Sequence, residues 1–277
     1  MDSGQGPCAP FGTHAPTPAQ RLLIDLCQSG ALSPVLRRGA FRRPLARLIT
    51  RLRPGPLDVA RGALRYRLNP ADNAAEVGLL LDPHYQQASL DFVRQHLPAG
   101  GTFVDLGANV GQYTLVGAES VGPSGRVVAV EATPNPMRRL RTNAELSGFA
   151  GRIAFFACAA GDWDGELRFS VNAGDTALSR ADEAGGVVVP MKSLATIVRE
   201  AGLPHINVLK IDVEGMEDRV LSAFFDAAPE SLWPRAICME DELAADWQGD
   251  VRPRLAAIGY ETLPLRSRGN AFLVRTA

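Results

Sequence analysis

Phe103-Val-Asp-Leu-Gly-Ala-Asn-Val-Gly-Gln-Tyr-Thr114 is the stretch whose reading decides the fold. A short apolar run reaches Asp105 and Leu106, breaks at Gly107 and Gly111, and resumes with helix-forming residues. Strand, glycine turn and helix in that order open a doubly wound α/β domain, with backbone N–H groups at the helix N-terminus left for a ligand. Downstream, the pattern predicts strands at 102–106, 126–130, 153–159, 206–211 and 235–239, alternating with helices at 111–119, 136–146 and 215–224. Each strand is an unbroken apolar run and the crossovers are helical, so a mainly parallel sheet is expected. After a helix at 250–258, strands at 260–263 and 271–275 should close one sheet edge as an antiparallel hairpin. Residues 166–171 and 186–190 are expected to pair around the polar loop 172–185.

Upstream of the turn the pattern is different. Residues 1–20 are rich in Pro, Gly, Ser and Thr and read as a tail, followed by a short amphipathic helix at 19–27. Residues 35–53 interleave seven arginines with leucines, and Pro44 is expected to interrupt any helix there. One reading is a surface helix for anionic lipid or a charged glycan carrier. The favoured reading is a helix whose apolar side packs on the domain while its arginines face water. A hairpin over 57–69 and helices at 73–81 and 86–97 complete the segment. The expected organisation is a tail and arginine-rich helical extension at 1–56, a lid at 57–100 and a cofactor-binding domain at 101–277.

The chain of 277 residues, 46% hydrophobic, is long enough for a full core. A net charge of −1 provides no global field for nucleic acid. Cys8, Cys27, Cys158 and Cys238 are widely spaced and make no metal-ligand pair; Cys158 and Cys238 read as buried thiols in apolar strands. No apolar run is long enough for a transmembrane segment and no secretory pattern is present, so a cytoplasmic location is expected. A homodimer is compatible with this composition.

The turn also indicates its ligand. Dinucleotide-binding turns place a second glycine against the pyrophosphate, but here that place holds Asn109, and Asp105 precedes the turn. A carboxylate there repels phosphates and attracts a cation. S-adenosyl-L-methionine, with its ammonium and sulfonium, matches. Glu131 ends the next strand, 20 residues after Gly111, where a carboxylate can accept both ribose hydroxyls.

On these residues the chain resembles the FkbM family of S-adenosylmethionine-dependent methyltransferases over approximately residues 75–275. The resemblance rests on 103–114, on Val130-Glu-Ala-Thr-Pro-Asn-Pro136 with Asn143, and on Leu209-Lys-Ile-Asp-Val-Glu-Gly-Met-Glu217. Ala132-Thr133 stands where the family more usually has a proline after the glutamate. The resemblance implies a class I, Rossmann-like methyltransferase fold and methyl transfer to a substrate hydroxyl. It implies that Asp105, Gly107, Ala108, Asn109, Gly111 and Tyr113 surround the methionine part of the cofactor. Glu131 and Ala132 would sit at the ribose, and Ala159 near the adenine with Asp162 accepting from its amino group.

Methyl transfer aligns oxygen, methyl and sulfur, and helps the hydroxyl lose its proton. The candidate catalytic group is Lys210, Asp212, Glu214 and Glu217, with Asp212 also beside the cofactor. Glu217 equally suits the positive start of its helix. Asp212 with Glu240 or Asp241 could hold Mg²⁺ through oxygen ligands alone. His84 could reach the pocket as a general base, although a polar turn residue is the favoured reading. The acceptor is expected to be a hydroxyl of a small molecule or glycan, with Thr176, Ser179 and Arg180 as candidate sugar contacts. The alternatives are a nicotinamide-dependent oxidoreductase, disfavoured by Asn109 and Asp105, and a non-catalytic cofactor-binding protein.

Overall fold

The computed structural model describes residues 8–29, 41–170, 180–181, 186–265, 267 and 269–276. Two helices, α1 (Pro18–Gln28) and α2 (Arg42–Leu52), lead to a hairpin of β1 (Leu57–Arg61) and β2 (Leu64–Leu68). Thr17 caps α1 and Gln20 reaches back to it, so α1 starts on a reciprocal capping box. Pro44 does not interrupt α2. It lies in the first turn, where a missing N–H leaves no helical bond unmade. Residues 35–40 of the arginine-rich stretch lie outside the described residues. Next come α3 (Ala74–Leu81), capped by the Asn73 side chain on the Glu76 N–H, and α4 (Gln87–His96).

The alternating part then begins: β3 (Thr102–Leu106), α5 (Gln112–Val121), β4 (Arg126–Val130), α6 (Pro134–Leu146) and β5 (Ile153–Phe156). The predicted strand 153–159 is in fact two. The chain leaves the central sheet after Phe156, and Cys158 lies between strands. A second sheet follows, of β6 (Ala159–Gly161), β7 (Gly165–Ser170), β8 (Arg180–Ala181) and β9 (Val187–Ser193). Its β7–β9 pairing is antiparallel, as the polar-loop pattern suggested. Thr176, Ser179 and the side chain of Arg180 lie outside the described residues. The alternation resumes with α7 (Leu194–Glu200), β10 (Val208–Ile211), α8 (Glu217–Ala227), β11 (Ala236–Glu240), α9 (Arg252–Ala257), β12 (Tyr260–Thr262) and β13 (Asn270–Arg275).

Among the described residues, the central sheet runs β12-β13-β11-β10-β3-β4-β5. The five strands β5, β4, β3, β10 and β11 are parallel, and β13 and β12 add antiparallel at the edge. Both faces are covered, which explains the unbroken apolar runs. Phe103 and Val127 face a core shared with α4, α5, α6 and the N-terminal elements, whereas Val104, Leu106 and Leu209 face α7 and α8. The order changes direction at β3, where β10 and β4 flank it, and ligand crevices form at such points.

Candidate active site

The glycine turn after β3 is held from two sides. Gly107 and Ala108 donate their N–H groups to the Val130 carbonyl at 3.0 and 2.9 Å, and the Asn109 N–H donates to Glu131 Oε2 at 2.9 Å. These three amides tie the turn to the end of β4. Gly107 has φ 73°, and a Cβ there would lie 1.8 Å from the Asp212 carbonyl oxygen. Only glycine lets the loop after β10 touch the turn in this way. Gly111, at φ 93°, serves packing instead: a Cβ would meet Leu140 at 2.3 Å, and Gly111 does not line the cleft described next.

A cleft of about 1010 Å³, its mouth included, opens beside the turn. Gly107, Ala108, Asn109 and Tyr113 line it, with Glu131 and Ala132 from β4 and Lys210, Asp212 and Glu214 from β10 and its loop. Cys158, Ala159, Ala160, Leu167 and Met216 give it an apolar slot. From the segment expected to be a lid, Ala75, Tyr85 and Gln86 complete the lining. Among the described residues, the non-glycine residues with positive φ are Gln86 (58°), Asn109 (48°) and Glu214 (56°), and all three line this cleft. Left-handed backbone costs about 1 kcal/mol or more per side chain and gathers at functional sites.

Lys210 is the electrostatic centre of the site. It is buried, and its Nζ donates to the carbonyls of Leu106 at 3.1 Å and Gly107 at 2.7 Å. The ammonium also lies 3.6 Å from Asp105 Oδ1 and 3.4 Å from Asp212 Oδ2, with the Tyr113 ring beneath it at 5.3 Å. Burial lowers the Lys210 pKa, but Asp212 and Asp105 outweigh it, so the group is held above its ordinary value. Burial pushes Asp105 up, against the pull of Lys210 and a 2.5 Å hydrogen bond from Thr114. Asp105 is wholly buried behind the turn and does not line the cleft. Its charged partner is Lys210, through which it is joined to the cleft lining.

Glu131 lines the cleft and accepts from the Thr133 N–H at 2.7 Å as well as from Asn109. Burial raises its pKa while these two N–H groups oppose the rise. Asp162 stands elsewhere. Its carboxylate takes a bidentate pair from Arg219 at 2.9–3.0 Å, and it is absent from the cleft lining. His84 is likewise outside the cleft, exposed, with its N–H on Asp82 Oδ1 at 3.0 Å. It lines a second groove of about 1270 Å³ with Arg42, Arg43, Asp82, Glu242 and Ser267. Tyr85 and Gln86 line both cavities.

Asp212, Glu217 and Glu240 bring carboxylate oxygens within 4.8 Å of one another. Asp241 is not part of this group; it faces Arg252 at 3.9 Å. Glu217 is fully engaged, by the N–H groups of Val213 and Gly215 and by the Trp247 indole N–H at 2.9 Å. It clamps the loop to the start of α8, the structural role that its sequence position also suited. Burial, then Asp212 and Glu217, push the Glu240 carboxyl up to about 8.

Several participants were not picked out from the sequence. Asn73 donates to Asn109 Oδ1 at 2.8 Å, joining the start of α3 to the glycine turn, and Gln112 donates to the Tyr85 carbonyl at 3.0 Å. Asn73 carried a signal, since Asn-x-x-Glu at 73–76 marks a helix start. Tyr85 and Gln86 carried none.

A glycine turn, a carboxylate at the next strand end and an apolar slot at the sheet's reversal point suit an α/β domain to a nucleoside cofactor. Three carboxylates and one ammonium in the lining favour a cationic cofactor over a pyrophosphate. Residues 105–253 match the Methyltransferase FkbM domain, and the chain belongs to that family. That membership weighs against the oxidoreductase alternative. The chain is 30% identical over 172 residues to the 31-O-demethyl-FK506 methyltransferase FkbM of Streptomyces tacrolimicus, covering 50% of this chain and 64% of the relative. It is 28% identical over 188 residues to the AMB antimetabolite synthetase AmbE of Pseudomonas aeruginosa, covering 52% of this chain and 9% of that protein. Less than two thirds of either relative is therefore spanned. A methyltransferase structure from Geobacter sulfurreducens is similar over 70% of this chain and 79% of its own, at 14% identity and a TM-score of 0.45.

Proposed function

We propose that the protein is an S-adenosylmethionine-dependent methyltransferase acting on a hydroxyl of a small molecule or glycan, with Asp212 receiving the hydroxyl proton. The observation that carries this reading is the setting of Asp212. Its side chain is 40% exposed, at the cleft, and 3.4 Å from the buried Lys210 ammonium. When bound, S-adenosylmethionine supplies an electrophilic methyl group. Glu131 would hold the ribose hydroxyls, and the apolar slot around Ala159 and Met216 would take the adenine. Lys210 fixes the Asp212 carboxylate, which would accept a hydrogen bond from the acceptor hydroxyl and then its proton, as the oxygen–methyl bond forms and the methyl–sulfonium bond breaks to leave a neutral thioether. Glu214, held left-handed beside it, orients the acceptor, which approaches through the groove shared at Tyr85 and Gln86.

The Mg²⁺ expectation does not fit these donors. Glu217 is engaged by backbone and indole N–H groups, and Asp212 already faces an ammonium. Lys210 supplies the positive charge that a metal would bring. Turnover is therefore expected to survive EDTA unchanged; a loss reversed by added Mg²⁺ would restore the metal.

Glu131→Ala is expected to weaken S-adenosylmethionine binding roughly 100-fold in calorimetric titration, since two hydrogen bonds to a carboxylate contribute about 1.5 kcal/mol or more each. An unchanged Kd would remove Glu131 from the ribose site. The acceptor atom is tested by incubating the protein with S-adenosylmethionine and a panel of hydroxylated acceptors, then locating the new methyl by mass spectrometry and NMR. A methyl found on nitrogen or carbon would overturn the hydroxyl reading.

A further inference from the structure

The N-terminal helices carry a feature that methyl transfer does not use. Helices α1 and α2 bury Gln20, Ile24 and Cys27, and Ala46 and Ile49, toward the body. Each turns a pair of leucines the opposite way, four residues apart: Leu22 (70% exposed) and Leu26 (45%) on α1, Leu48 (47%) and Leu52 (49%) on α2. Phe41, at the start of α2, is 51% exposed. Among the described residues, four of the nine exposed large hydrophobic side chains lie on these two helices, and a fifth, Phe41, caps the second. Arg21, Arg43, Arg47 and Arg51 are exposed on the same pair, against one acid, Asp25. Helix α2 itself contains no acidic residue.

We propose that the outward face of α1 and α2 docks onto an anionic lipid surface. Leucines flanked by arginines on a short helix suit the headgroup boundary, where the apolar side chains leave water and the guanidinium groups meet phosphates. No helix among the described residues is long and apolar enough to cross a membrane, so the contact lies in the interface plane. A second copy of this chain is a poorer occupant, because a two-fold contact would bring Arg47 and Arg51 toward their own copies. Nucleic acid would leave the leucines without a partner. The docking helix also bears Arg42 and Arg43, which line the groove adjoining the cofactor cleft, so docking holds that groove near the lipid headgroups.

The test is co-sedimentation of the full chain with vesicles of phosphatidylcholine alone or mixed equally with phosphatidylglycerol. The protein is expected to pellet with the anionic vesicles, to stay in solution with phosphatidylcholine, and to be released by high salt. Each arginine near such a surface contributes about fivefold in partitioning, so Arg47→Glu with Arg51→Glu should lower binding more than tenfold. Leu48→Asp with Leu52→Asp should also lower it more than tenfold, with S-adenosylmethionine affinity and circular dichroism unchanged in both variants. Failure of the wild-type protein to pellet with anionic vesicles overturns the proposal. So does equal binding to phosphatidylcholine, undiminished binding by both folded variants, or light scattering that shows the leucines closing a dimer instead.

Discussion

Asp212→Asn is expected to lower kcat by about 10²–10⁴-fold, the usual contribution of a positioned base, while the Kd for S-adenosylmethionine stays near that of the wild type. The separation follows from what Asp212 touches. Its backbone abuts Gly107, which asparagine preserves, whereas its carboxylate is partly exposed at the cleft, 3.4 Å from the Lys210 ammonium and close to the Glu217 and Glu240 carboxylates. Asparagine keeps the shape and loses the ability to take a proton. Single-turnover measurement with a reactive acceptor separates this from slow product release. A kcat within a few-fold of wild type would show that solvent takes the proton and that Asp212 only shapes the cleft.

Lys210→Met is expected to destabilise the protein by about 3–5 kcal/mol, the usual cost of leaving one partner of a buried ion pair alone. Methionine fills comparable space, but Asp105, wholly buried, is left with Thr114 as its remaining hydrogen-bond donor. The Leu106 and Gly107 carbonyls lose their shared donor as well. Asp105 then responds by holding its proton more tightly. Its folded pKa, already raised by burial, rises further above the unfolded value. The stability of the variant should therefore be greatest in acid and fall as pH rises through the folded pKa. Adding Asp105→Asn removes the stranded charge and should recover part of the loss, giving a favourable coupling in a double-mutant cycle. Guanidinium unfolding of the four proteins across pH tests this. If the single variant is as stable as wild type, or the double variant is no better than the single, the buried pair is not what secures the turn.

The sheet and the floor of the site were legible because their signals are local. Asp105, Gly107 and Gly111 fall within seven residues, and Glu131 ends the next apolar run. The C-terminal hairpin and the β7–β9 pairing were visible as alternation interrupted by polar loops. What could not be read depends on contacts between distant segments. The run Ile153–Ala159 is apolar throughout, and nothing in it marks where the chain changes sheets. Asp162 looked like an adenine acceptor until Arg219, 57 residues on, occupied it. Asp241 and His84 had suitable chemistry but face Arg252 and a neighbouring groove. Glu217 offered two roles of equal standing, and the Trp247 indole decided between them. Tyr85 and Gln86 reach the cleft only through the fold, and a left-handed glutamine leaves no trace in a hydrophobic pattern.

The walls of the cleft come from two parts of the chain, one inside the family-matched segment and one outside it. The glycine turn, Glu131, Lys210, Asp212 and Glu214 all lie inside the family-matched segment 105–253. Ala75, Tyr85 and Gln86, and Ser267 of the adjoining groove, lie outside it. On the proposed reading, the first part holds the methyl donor and the second meets the acceptor. Grafting residues 57–100 between relatives would then alter the acceptor wall and leave the donor wall in place.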